Sequence, residues 1–97
     1  MTASHPPSER ERICVDASLL LHWLLPSERD VPIDQVMAEW LRSGVELIGP
    51  VLLYSEVPSV IRLRVSTGKL TEDEGEVAFN LFNSLRVARV DQCDRRA

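Results

Sequence analysis

Two carboxylates stand where a metal-dependent chemistry would need them. Asp16 ends the short apolar run Ile13-Cys14-Val15, and Glu56 lies well downstream in Tyr54-Ser55-Glu56-Val57. On a helix Glu56 shares a face with Leu53 and Val60, three before and four after it. A carboxylate in an apolar stripe is costly unless it has a cation, a partner or a raised pKa. An ion pair with Arg62 or Arg64 would satisfy it, although neither stands at the i+3 or i+4 position. Asp16 has an ordinary explanation too, as the N-cap of the helix that follows it. Taken together, the two acids suit a hard divalent cation, because Mg²⁺ and Mn²⁺ prefer oxygen ligands. Such an ion lowers the pKa of a water and steadies the charge on a phosphate. Ser18 offers a hydroxyl to a nearby water or phosphate oxygen, or simply closes the helix start.

The remaining reactive residues point less clearly. His5 and His22 are isolated, and no Cys/His cluster has zinc-ligand spacing. Cys14 and Cys93 are far apart, which fits reduced thiols in a cytosol. Trp23 and Trp40 read as core aromatics, and Tyr54 as core or base-stacking. Arg62, Arg64 and Lys69 form a basic helix end, either a solvated face favoured by the helix dipole or a phosphate-positioning group.

Composition limits the partners. The formal net charge of −4 argues against holding nucleic acid through a general basic field. It leaves room for cutting nucleic acid at a metal, which brings its own charge. The longest run without a charge, Ala17 to Ser27, is too short to span a bilayer, and residues through Arg12 lack the apolar stretch of a secretory signal. No membrane is expected, and the expected location is the cytoplasm.

The elements that must position the acids follow from periodicity. Ile13-Cys14-Val15 reads as a buried parallel strand. Ser18 to Leu25 reads as a helix stopped by Pro26. Ile33, Val36, Met37, Trp40 and Leu41 form an amphipathic stripe, and Gly44 stands where a left-handed cap belongs. Val45 to Ile48 is a second strand, and Val51 to Ser66 a helix ended by Gly68. Pro58 either kinks that helix or lies in the first turn of one starting near Ser55. Thr71-Glu72-Asp73-Glu74 is a capping box before the apolar face Val77, Ala78, Leu81, Phe82 and Leu85. Val87 to Val90 is a third strand, ending at Asp91. Strand, helix, helix, strand, helix, helix, strand implies an α/β fold with a parallel sheet, whose ligands bind beyond the carboxyl ends of the strands.

Ile13-Cys14-Val15-Asp16-Ala17-Ser18-Leu19, His22-Trp23-Leu24-Leu25-Pro26, Glu46-Leu47-Ile48-Gly49-Pro50 and Tyr54-Ser55-Glu56-Val57 together resemble the PIN-domain ribonucleases, especially the VapC-type toxins of toxin–antitoxin pairs. Gly68-Lys69-Leu70-Thr71-Glu72 and Arg86-Val87-Ala88-Arg89-Val90-Asp91 continue the likeness, which covers Ile13 to Asp91. The resemblance implies a Rossmann-like, three-layer α/β domain and an acidic site for Mg²⁺ or Mn²⁺. It implies endonucleolytic cleavage of RNA, with Asp16 and Glu56 as metal ligands and Ser18 as the supporting hydroxyl. It also implies a homodimer and inhibition by an antitoxin protein.

The chain departs from the family where it stops, at Ala97 just past the third strand. The family's further acids and fourth strand have no counterpart here, so the resemblance implies an incomplete nuclease that lacks part of the acidic set activity needs. The alternative is a non-catalytic, truncated toxin acting as a dimerisation or antitoxin-binding module. The expected organisation is a tail over 1–12, a partial PIN-like domain over 13–91 and a second tail over 92–97. Asp91 and Asp94 read as loop residues rather than as replacements for the absent acids.

Overall fold

Alternate burial in short segments sets the sheet. Ile13 and Val15 are buried, as are Leu47 and Gly49, while the residues between them are not. In the computed structural model, which describes residues 11–91, these positions lie in or beside β1 (Arg12–Cys14) and β2 (Glu46–Pro50), and β3 (Ala88–Val90) completes the sheet. The strands are parallel in the order β1-β2-β3. Ile13 pairs with Leu47, and Gly49 with Arg89. The Val15 N–H donates to the Ile48 carbonyl at 2.8 Å, which carries the ladder one residue past β1.

Four helices join the strands: α1 (Ala17–Leu24), α2 (Val31–Ser43), α3 (Leu53–Ser66) and α4 (Glu72–Leu85). Their ends follow the local chemistry. Asp30 caps α2 by accepting from the Ile33 N–H at 3.0 Å, and Gly44 ends it at φ 74°, a conformation that suits glycine. The capping box on α4 is present in both directions: Thr71 Oγ1 accepts from the Glu74 N–H, and Glu74 Oε1 from the Thr71 N–H. On α2 the apolar stripe is only partly used. Ile33 and Met37 are buried and Trp40 half-buried, but Val36 and Leu41 stay exposed.

Helix α3 does not start near Ser55, so Pro58 does not fall in its first turn. Ser55 and Glu56 already donate their N–H groups to the Leu52 carbonyl, so α3 is under way before the proline. Pro58 therefore sits in the second turn, buried, with no N–H to offer the Tyr54 carbonyl. Helix α3 nonetheless runs on to Ser66.

The core draws on every helix and on the sheet. Leu20 and Leu25, Met37, Leu53 and Val57, and Phe82 are fully buried, and no polar or charged residue is buried among the described residues. Tyr54 is half-buried beside Phe82, with ring centroids 5.1 Å apart, and its hydroxyl donates to the Val87 carbonyl, tying α3 to the start of β3. Arg89 lies over the other aromatic partner of this group, 4.4 Å from the Tyr54 ring centre.

Both crossovers join neighbouring parallel strands in the same sense, and such connections are right-handed almost without exception. All four helices therefore lie on one face. The burial agrees: Ile13, Val15, Leu47, Gly49 and Val87 are buried, whereas Cys14, Ile48, Pro50, Ala88 and Val90 on the opposite face are half-buried. The described residues thus build two layers, not the three expected from the resemblance. A second helical layer needs a crossover running the other way from β1, and the described residues contain no strand on that side.

One further expectation changes. Arg12, assigned to the tail, belongs to β1: it pairs in register with Glu46, and their side chains meet at 3.4 Å. Its charge points it outward from a strand whose next residue points inward, so polarity alone hid it. The expectation of two reduced thiols turns on Cys93, which lies outside the described residues. The called tails over 1–10 and 92–97, with Asp94, lie outside the described residues. Among the described residues no helix is long and apolar enough to cross a membrane.

The α2 cap carries a pH dependence. The Ile33 N–H bond lowers the Asp30 carboxyl from its ordinary 3.8; slight desolvation opposes this, and His22, 3.1 Å away, adds to the lowering. A depressed folded pKa stabilises the fold above the unfolded value and loses that contribution as the pH falls through the folded one. Melting of the wild type should therefore fall more steeply below pH 3.8 than that of Asp30→Asn, which keeps a good cap without the titration. Identical acid limbs in thermal melts of the two proteins would refute the assignment.

Candidate functional site

Asp16, Ser18 and Glu56 were singled out separately, and the fold brings all three to one place. They line an open cleft of ≈ 600 Å³ between the first turn of α1 and the first turns of α3. Ser55 and Ser59 line it from the α3 side, and Ala17, Leu21 and Val60 supply its apolar wall. The cleft lies past the carboxyl end of β1, where parallel sheets place their ligands.

Each acid is held there by local structure. Asp16 follows the end of the β1 ladder in an extended conformation and caps α1, with Oδ1 accepting from the Leu19 N–H at 2.9 Å. The ordinary explanation for Asp16 is thus satisfied. A carboxylate has about four lone-pair sites, so one capping bond leaves it able to ligate as well. Glu56 follows β2 by way of the Leu52 turn, which receives the N–H groups of Ser55 and Glu56 at 3.0 and 2.9 Å. Helices α1 and α3 pack together, burying Leu20 and Leu24 from one and Leu53, Val57 and Ile61 from the other.

The picture of Glu56 as an acid inside an apolar stripe does not hold. Glu56 is exposed. The buried stripe runs through Leu53, Val57 and Ile61, with Val60 half-buried at its side. Glu56 is one residue, about 100° of helix, away from Val57. It therefore sits at the margin of the stripe, where α3 turns toward the cleft. Nor does an arginine neutralise it. Arg64 pairs instead with Glu28 at 3.0 Å, and among the described residues Glu56 makes no ion pair.

Among the described residues the cleft is acidic, with no cationic side chain in its lining. Its lining holds two carboxylates and no lysine, arginine or histidine. Two oxygen donors fit Mg²⁺ or Mn²⁺, which commonly keep several waters and take one or two protein carboxylates beside substrate phosphates. Among the described residues no group of three or more His, Cys, Asp or Glu side chains converges. Asp91 lies beyond β3, separated from β1 by β2, and does not line the cleft.

No family model, curated protein or solved structure matches this chain.

Sequence reasoning missed Ser55 and Ser59. Ser59 was within reach of it, because it stands three residues after Glu56 on the same helical face. His22, isolated in the sequence, meets Asp30 at the α2 cap and is not among the residues that line the cleft. Trp23 was read as a core aromatic and is buried, with its indole N–H donating to Asp34 Oδ1 at 3.2 Å. Arg62 and Lys69 are exposed and lie outside the cleft lining.

Proposed function

We propose that this chain carries the first two acids of a PIN-like, metal-dependent endoribonuclease site of the VapC toxin type, with Asp16 and Glu56 as ligands to Mg²⁺ or Mn²⁺. The observation that supports this reading is one cleft lined by Asp16 and Ser18 from the start of α1 and by Glu56 from a segment about forty residues later. The parallel α/β topology and the position beyond the end of β1 are consistent with it. RNA would be the substrate, and a second copy of the chain and an antitoxin protein the partners.

The chemistry follows from the charges. A divalent cation supplies the positive charge that lets a phosphodiester approach two carboxylates, and it makes water a better nucleophile near neutral pH. Asp16 and Glu56 hold and orient that charge from two different helix starts. Ser18, exposed beside Asp16, donates its hydroxyl hydrogen to a phosphate oxygen or a water. The apolar wall of Leu21 and Val60 limits water on one side of the cleft.

Thermal melting with and without Mn²⁺ tests the reading, because a ligand that binds only the folded state raises its apparent stability. At Mn²⁺ ten times its Kd the gain is about 1.4 kcal/mol, or roughly 6–11 °C for a domain of this size. Asp16→Asn is the informative variant. Asparagine caps a helix as well as aspartate does, so the fold stays while the charge goes. The wild type should shift and the variant should not, and only the wild type should cleave single-stranded RNA in Mn²⁺. RNA cleavage that survives Asp16→Asn unchanged would remove Asp16 from the site.

A second reading has its own observation. The sheet face opposite the helices carries half-buried Ile48, Pro50, Ala88 and Val90, and among the described residues β1 is paired on one side only. Exposed strand edges recruit other chains. A cooperative melt indifferent to Mn²⁺ would favour a non-catalytic binding module over a nuclease.

A further inference from the structure

Among the described residues the cleft offers a phosphate oxygen no cationic side chain, and that narrows which of them can hold it. Its lining offers three hydroxyls, on Ser18, Ser55 and Ser59, and no Lys or Arg. Ser55 is committed, since its Oγ donates to the Leu52 carbonyl at 3.0 Å. The same local bond engages the hydroxyls of Ser66, Thr67 and Ser84, which donate to carbonyls three or four residues back. Ser59 differs. It is exposed in the second turn of α3, and among the described residues its hydroxyl has no hydrogen-bond partner. It shares a helical face with Glu56 and lines the cleft opposite Ser18 on α1.

We infer that Ser59 is a substrate-binding residue: its hydroxyl donates to a non-bridging oxygen of the phosphodiester held in the cleft, from the side opposite Ser18. The inference rests on the proposed nuclease reading and adds to it a residue outside the two acids. A neutral donor suits this position. It contacts the phosphate without competing with a divalent cation for Asp16 or Glu56, as a lysine or arginine would. Ser18 lines the cleft from α1 and Ser59 from α3, so a strand held by both hydroxyls would cross the cleft between the two helices.

The test uses the full chain and two readouts. One is the rise in melting temperature caused by Mn²⁺ alone. The other is the affinity for a short dye-labelled single-stranded RNA in Mn²⁺, read by anisotropy before cleavage. Ser59→Ala should keep the Mn²⁺-induced rise and bind the RNA about ten- to a hundredfold more weakly, the effect of losing one hydrogen bond to a charged group. Ser59→Thr, which keeps the hydroxyl, should restore most of the affinity. Alanine is a good residue for an exposed helix position, so loss of folding will not mimic the result. Wild-type affinity in Ser59→Ala, with the Mn²⁺ response intact, would overturn the role of Ser59 alone. A wild type that neither responds to Mn²⁺ nor binds the RNA would overturn the nuclease reading and this inference with it.

Discussion

Phe82→Ala should cost about 3–5 kcal/mol, the range for truncating a buried aromatic side chain. Phe82 is 0% exposed on α4 and is the largest of the fully buried side chains. Its removal leaves a cavity that the helices cannot readily close, since α4 is fixed at its start by the Thr71 capping box. It also strips support from Tyr54, whose ring packs against Phe82 and whose hydroxyl holds the Val87 carbonyl. A domain of this length has a total stability of only about 5–15 kcal/mol, so the variant loses a large fraction of it. Urea denaturation followed by far-UV circular dichroism measures the loss. Phe79→Ala serves as the control: Phe79 is on the same helix but 40% exposed, and its truncation should cost well under half as much. Equal losses in the two variants would mean that Phe82 does not anchor the core.

Gly49→Ala should destabilise the fold by about 1–3 kcal/mol, the cost of overpacking a filled interior. Gly49 is buried in the middle of β2. A Cβ there would stand 2.8 Å from Leu53 Cδ2, 3.2 Å from the Val15 carbonyl oxygen and 3.3 Å from Val87 Cγ1. The leucine terminus can swing away at small cost. The Val15 carbonyl cannot, because the Val15 N–H is bound to Ile48 in the same ladder. Relief would push β1 from β2 just where Asp16 leaves the strand. The substitution should therefore weaken the Mn²⁺ response as well as the fold. A Gly49→Ala protein with unchanged urea midpoint would show that the packing around β2 is looser than these distances require.

Much of this was legible from local patterns. The three strands and four helices stand where apolar runs, Gly44, Gly68 and the Thr71 box placed them, within a residue or two at most ends. The two acids and Ser18 also converge as their strand-end and helix positions implied. What local patterns misjudged depends on the third dimension. Arg12 reads as tail because its polarity outweighs its pairing with Glu46, which lies far along the chain. Glu56 reads as buried because Leu53 and Val60 flank its face, yet the contact with α1 turns α3 on Leu53 and Val57 instead. Val36 and Leu41 repeat at helical spacing but find nothing to pack on among the described residues. Two layers rather than three is likewise a fact of strand order, and no single segment encodes strand order.

The sheet joins residues that are distant along the chain: Arg12 with Glu46, and Ile48 with Ala88. Parallel pairing of this kind demands that a long loop be closed before any ladder bond repays the entropy lost. Helices need no such closure and form on the sub-microsecond to microsecond scale of local events. Helix α1, at eight residues, is too short to hold alone, so it and α3 settle as the loops close and set them side by side. The cleft belongs to that last step. Asp16 and Glu56 are strangers in the nascent chain and line one cleft only once β1 has found β2, so the cleft and the finished fold arrive together.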